Sequence, residues 1–177
     1  LCKDLEWETD VDDLLEYAAC LTAFHFMLRS AEYCARLKGG KFDLDKVIRL
    51  MDVKFFLKGV EITTELHLAD EVEVTLGKQK CSLGGEKRRH SASPEARDLC
   101  IVRILALLVQ KKGNAARHLP LFTWSRGSNR PGEGVRYHDV RRLAQRGAEL
   151  CGRDTRLYAT HSWRRGGASA YILAGCS

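Results

Sequence analysis

Hydrophobic positions divide the chain into a few stretches with distinct periods. From Leu14 to Leu28 they fall on nearly every side of a helical wheel, through Leu14, Leu15, Ala18, Ala19, Leu21, Phe24, Phe26, Met27 and Leu28. A helix apolar all round is a buried one, so this stretch predicts a central core helix. Asp10 is placed to cap it ahead of Val11, and Asp12 and Asp13 suit the positive end of its dipole. Thr22 marks a point where it can break, and Lys38-Gly39-Gly40 predicts its end.

The pattern then changes to short β-prone runs. Val47 to Phe56 is one candidate strand. Glu71-Val72-Glu73-Val74-Thr75-Leu76 alternates strictly and is the better one. Gly77 and Gly84-Gly85 predict turns around a hairpin, with His90 on the returning strand. Ser93-Pro94-Glu95 reads as a helix start, with Ser93 as the cap and a helix running through Leu99 to Val109. Ser125 to Gly134 reads as a loop. Arg136 to Cys151 reads as a basic amphipathic helix. Thr160 or Ser162 caps a last helix that reaches Leu173, with Gly175 as its stop. The fold class expected is α+β: one mainly helical domain with a small antiparallel sheet inserted after the first helices.

Length and composition agree with a single domain. The 177 residues suffice for one core, with 45% hydrophobic and 29% charged residues and three prolines. No apolar run approaches a membrane span. Leu1 to Asp13 is acidic rather than basic then apolar, unlike a signal peptide, and the chain does not begin with Met, as expected of an excised domain. The seven cysteines are odd in number and widely spaced, without a CxxC pair. They predict reduced thiols in an intracellular protein and no metal site.

Charge changes the picture most. Residues 1–77 hold 9 Lys+Arg against 16 Asp+Glu, net −7; residues 78–177 hold 20 against 7, net +13. A basic half of that size points to a polyanion, most simply nucleic acid, with a solvated basic surface as the plainer alternative. Helix 136–151 offers Arg136, Arg141, Arg142 and Arg146 as contacts to a DNA backbone, and here a solvated basic face explains the residues nearly as well.

Three places carry candidate chemistry. Arg29 closes the run Phe24-His25-Phe26-Met27-Leu28. A guanidinium at the end of a buried helix needs a partner: either Glu32, three residues on, or a bound anion such as phosphate, which the planar fork suits. His161-Ser162-Trp163-Arg164-Arg165-Gly166-Gly167-Ala168 lies across a helix N-terminus, where unbonded N–H groups favour anions. Its alternative reading is a capped basic helix with glycines for packing. Lys78 and Lys80 sit in the predicted hairpin, where a lysine either reaches a phosphate or is simply solvated.

Leu28-Arg29-Ser30-Ala31-Glu32-Tyr33 resembles the first conserved box of the tyrosine recombinases, an LRxxEL-like pattern. His161-Ser162-Trp163-Arg164 resembles their HxxR box, and a hairpin lysine lies between the two as in that family. The run HSWRRGGASAYILAG is similar to the recombinases of eukaryotic Crypton-type mobile elements. The resemblance covers roughly Asp10 to the chain end.

It implies double-stranded DNA as partner, protomers assembled on DNA, a nuclear site for a eukaryotic element, and no metal or nucleotide cofactor. The family attacks a phosphodiester with a tyrosine, forming a 3′-phosphotyrosine and releasing a 5′-hydroxyl. Arg29 and Arg164 would then hold the non-bridging oxygens, each such donor being worth about 2.7–4 kcal/mol. Lys80, preferred to Lys78, would protonate the leaving oxygen. His161 would assist proton transfer, and Lys78 and Arg165 would touch the DNA backbone. The nucleophile is expected tens of residues beyond HxxR. Tyr171, seven residues on, does not match its spacing, nor does Tyr158. Residues 1–177 thus read as one partial catalytic domain without the core-binding domain and the nucleophile segment. The alternative is a DNA-binding module without chemistry.

Overall fold

The computed structural model describes residues 10–34, 37–38, 41–78, 84–113, 117–124 and 132–175. Helix α1, Val11–His25, begins where Asp10 Oδ1 accepts the N–H groups of Asp12 and Asp13 at 2.7 and 3.1 Å. It is the central core helix expected, with every residue from Leu14 to Ala23 buried. It does not break at Thr22, whose hydroxyl donates to Ala18 O at 2.6 Å within the helix.

Nor does α1 run on to the Gly39-Gly40 pair, which lies outside the described residues. It stops at His25, because Met27 turns left-handed at φ 52°. Leu28 N–H then reaches Ala23 O at 3.0 Å and Met27 N–H reaches Phe24 O at 3.3 Å. This is the paired closure that usually has glycine at the left-handed position. The stop carries no glycine, so composition gave no sign of it. A four-residue helix α2, Ser30–Tyr33, follows with Arg29 as its N-cap.

Two two-residue strands, β1 (Leu37–Lys38) and β2 (Lys41–Phe42), pair with each other. The main sheet has four antiparallel strands in the order β4-β3-β5-β6. The expected strand from Val47 to Phe56 is instead a 3₁₀ turn, Leu50–Asp52, followed by β3, Val53–Leu57. The Arg49–Asp52 pair at 2.8 Å and the bond from Arg49 N–H to Asp52 hold that turn. Lys58-Gly59, both at positive φ, forms a tight hairpin to β4, Val60–Ile62. β5, Glu71–Thr75, matches the alternating run and pairs with β6, Lys87–Ser91.

Alternation sorts β6 cleanly. His90 lies opposite Val72 and Arg88 opposite Val74, so both share the face of the fully buried Val72 and Val74. Arg89 falls on the other face, bonded to Glu73 at 3.0 Å and stacked over the Phe56 ring at 3.9 Å.

The helix expected from Ser93 starts later. A 3₁₀ turn, Arg97–Leu99, precedes α3, Ile101–Lys112. α4, Tyr137–Leu150, and α5, Thr160–Leu173, agree with the sequence reading to within a residue or two. The core joins α1, α3 and the inner face of the sheet, with Phe122, Val135 and Val140 closing it. The fold is α+β. No helix among the described residues is long and apolar enough to cross a membrane.

The seat of α5 on α1 allows no side chain. A Cβ on Gly167 would stand 2.0 Å from Phe24 O, whereas one on Gly166 would only touch the Phe24 ring at 3.4 Å. Gly167→Ala should therefore destabilise the domain by about 2 kcal/mol or more. Gly166→Ala should stay within about 1 kcal/mol of the parent. Urea unfolding of the two variants checks the contrast.

Candidate nucleic-acid interface

α1 ends with carbonyls that its own turn cannot all satisfy. Phe26, Leu28 and Met27 N–H take those of Thr22, Ala23 and Phe24. The next two are met from β6: His90 Nε2 donates to His25 O at 2.9 Å, and Arg88 donates to Phe26 O. A carbonyl only accepts, so the His90 proton sits on Nε2. His25 in turn donates from Nε2 to Leu99 O at 3.0 Å. The Tyr171 hydroxyl stands 2.9 Å from His90 Nδ1 and 3.1 Å from Nε2. Near-equal distances place it over the ring rather than along the in-plane lone pair of Nδ1.

These contacts fix how α5 is rotated. Gly167 lies against Phe24 and Tyr171 against His90, three and seven residues after Arg164. At 100° per residue the three positions project within about 60° of one another. The Arg164 side of α5 is therefore turned toward the end of α1 and toward β6. Arg29 leaves from that same end of α1. Arg29 and Arg164 thus stand on the two segments that meet at the Phe24–Gly167 seat.

The first turn of α5 forms as the sequence suggested, with one change of role. Ala159 is the N-cap, and Ser162 Oγ accepts its N–H at 3.0 Å from inside the helix. His161 is exposed. Arg164 is partly buried and makes no hydrogen bond or ion pair with any described residue. Trp163 anchors the turn by donating to Val140 O of α4 at 3.4 Å.

Arg29 adopts the internal pairing, loosely. Glu32 accepts the Arg29 N–H at 2.7 Å, while the guanidinium stands 3.7 Å from Glu32 and is 50% exposed. At 3.7 Å it is an ion pair without a hydrogen bond, so the fork remains open to a ligand. Lys80 lies outside the described residues. Lys78 is tied to Asp45 at 3.0 Å, both ends well exposed.

The arginines of the basic helix divide by partner. Arg142 reaches across to the buried Glu16 of α1 at 2.8 Å, so it ties α4 to α1 as well as facing solvent. Arg136 pairs with Glu133. Arg141, Arg146 and Arg165 are exposed and pair with no described residue. Lys112, which the sequence reading passed over, donates to Thr123 O, and burial pushes its ammonium down to about 8. Arg88 was passed over as well. The alternation of Lys87-Arg88-Arg89-His90 against β5 was the signal for it.

No family model, no curated protein and no solved structure matches this chain.

Burial pushes both His25 and His90 below the ordinary value of 6.5. The carbonyl bonds, to Leu99 O and His25 O respectively, oppose the shift in each, and His25 and Arg88 add to it at His90. The folded state then holds fewer protons than the unfolded chain. Stability is full above pH 6.5 and is lost as pH falls through and below it. The urea midpoint should drop on acidification across that window. His90→Gln, which keeps a side-chain N–H donor without a titrating ring, should show a shallower drop.

Proposed function

We propose that this domain binds duplex DNA through the face formed where α5 meets the end of α1, in the manner of the tyrosine recombinases it resembles. Arg164 carries the reading. A partly buried guanidinium without a described partner, one turn into a helix, is poised for an anion. Its fork can take two oxygens of one phosphodiester. Arg29, on the adjoining segment, keeps half its surface in solvent. His161 stands one turn away with no described partner. Arg141, Arg146 and Arg165 supply further backbone contacts, in keeping with the net +13 of residues 78–177.

Recombinase chemistry at this face would use Arg29 and Arg164 for the non-bridging oxygens, His161 for proton transfer and the hairpin lysine for the leaving oxygen. A second reading, binding without strand cleavage by these residues, is favoured by Tyr171. It shares the Arg164 side of α5, but its hydroxyl rests over the His90 ring.

Fluorescence anisotropy on a labelled duplex across a salt series tests the binding. The parent should bind with a strongly negative salt slope. Arg164→Ala should bind about tenfold more weakly at low salt and flatten log K against log salt by about 0.9, the loss of one phosphate contact. Equal affinity of parent and variant at low salt would sink the site. A covalent adduct on a suicide duplex, absent in Tyr171→Phe, would overturn the reading without cleavage.

A further inference from the structure

The start of α5 meets the far half of α4 across small side chains. Ala144, Gly147, Ala148 and Cys151 form one stripe along α4 and its cap, spaced i, i+3, i+4, i+7. Ser162 and Gly166 line the same space from α5. Side chains this small leave room between the two helices, and a recess of about 290 Å³ results. Phe24, Tyr158 and Trp163 wall it with aromatic rings. Around α5, Ser162, Trp163 and Gly166 project between about 100° and 160° away from Arg164. The recess therefore lies on the side of α5 turned away from the proposed DNA face.

Most polar atoms that line it are already taken. Ser162 Oγ accepts the Ala159 N–H, and Trp163 donates to Val140 O. Two strong donors remain, the Arg153 guanidinium and the Tyr158 hydroxyl, and neither side chain has a partner among the described residues. The carboxylate next in sequence, Asp154, is held by Arg156 at 2.8 and 3.0 Å. Arg153 is the one charged residue of the lining, and a guanidinium keeps its charge at any working pH.

We propose that this recess binds a flat aromatic monocarboxylate of about two fused rings. A dry cavity of about 150 Å³ takes one benzene ring, and this one offers nearly twice that space. Three aromatic walls favour a ring system, which stacks or meets them edge to face. One open cation beside a hydroxyl donor matches one carboxylate, and the apolar walls reject a second charge. A DNA backbone would satisfy Arg153 and leave the recess empty. The proposal does not rest on the DNA reading and uses none of its charged residues.

The test uses the whole chain, naphthoate as the probe and its uncharged amide, naphthamide, as the control. Equilibrium dialysis measures affinity. The rate of iodoacetamide alkylation at Cys151, an exposed free thiol in the lining, reports the place. Naphthoate should bind saturably, more tightly than naphthamide, and slow alkylation at Cys151. Arg153→Gln, at an exposed position, should weaken naphthoate about fivefold and leave naphthamide unchanged. Gly147→Leu suits a helix better than glycine and fills the recess, so it should abolish binding of both. Four results would each overturn the proposal: no saturable binding, no slowing at Cys151, naphthamide binding as tightly as naphthoate, or an Arg153→Gln variant that binds naphthoate as the parent does.

Discussion

The carbonyl groups at the C-terminal end of α1 set the terms for the rest of the molecule. That end is largely shielded, with Phe26 and Leu28 buried and Phe24, His25 and Met27 partly so, and its carbonyls find their donors inside the protein. Three are met by the left-handed turn at Met27, and two by His90 and Arg88 from the inner face of β6. The sheet is thereby docked at one position on the helix. Phe24, whose carbonyl is bonded within the turn, also presents its backbone to Gly167, so α5 approaches as closely as glycine permits. Sheet, central helix and last helix meet at one helix end.

That meeting point orients the candidate chemistry without taking part in it. Gly167 and Tyr171 fix the rotation of α5, and Arg164 inherits its direction from them. The turn after α1 fixes where Arg29 departs. Both guanidiniums therefore depend on packing made by neighbours that carry no charge. The two imidazoles belong to the same logic: each donates one N–H to a carbonyl in a partly buried place, where burial disfavours a second proton.

Where the carboxylates are spent decides which cations remain available. Glu16 takes Arg142 across the α1–α4 contact, and Glu73 takes Lys87 and Arg89 on the outer face of the sheet. Asp139, fully buried, accepts the Arg136 N–H at the start of α4. The second half of the chain has few acidic residues to offer, so Arg141, Arg146, Arg164 and Arg165 remain unmatched by any described residue. These four cations are left over after internal pairing among the described residues. Net charge alone would have counted Arg142 and Arg89 with them.

The sequence by itself determined the α+β class, the buried central helix, the β5–β6 pair and the extents of α4 and α5. Each of these rests on a local period of 3.6 or 2, or on an end signal such as Asp10, which neighbouring residues carry in full. It also marked Arg29 and the His161–Arg164 turn as unusual, because charge beside apolar or glycine-rich runs is visible locally. Only the tertiary structure decided that α1 stops at His25. A left-handed Met27 costs more than glycine would, and it is held there by the closure bonds and by β6. The same holds for Arg88 and His90, whose acceptors lie 62 and 65 residues away, and for Arg142, whose partner lies 126 residues away. Which arginines stay open is a question of distance in space, and no period along the chain encodes it.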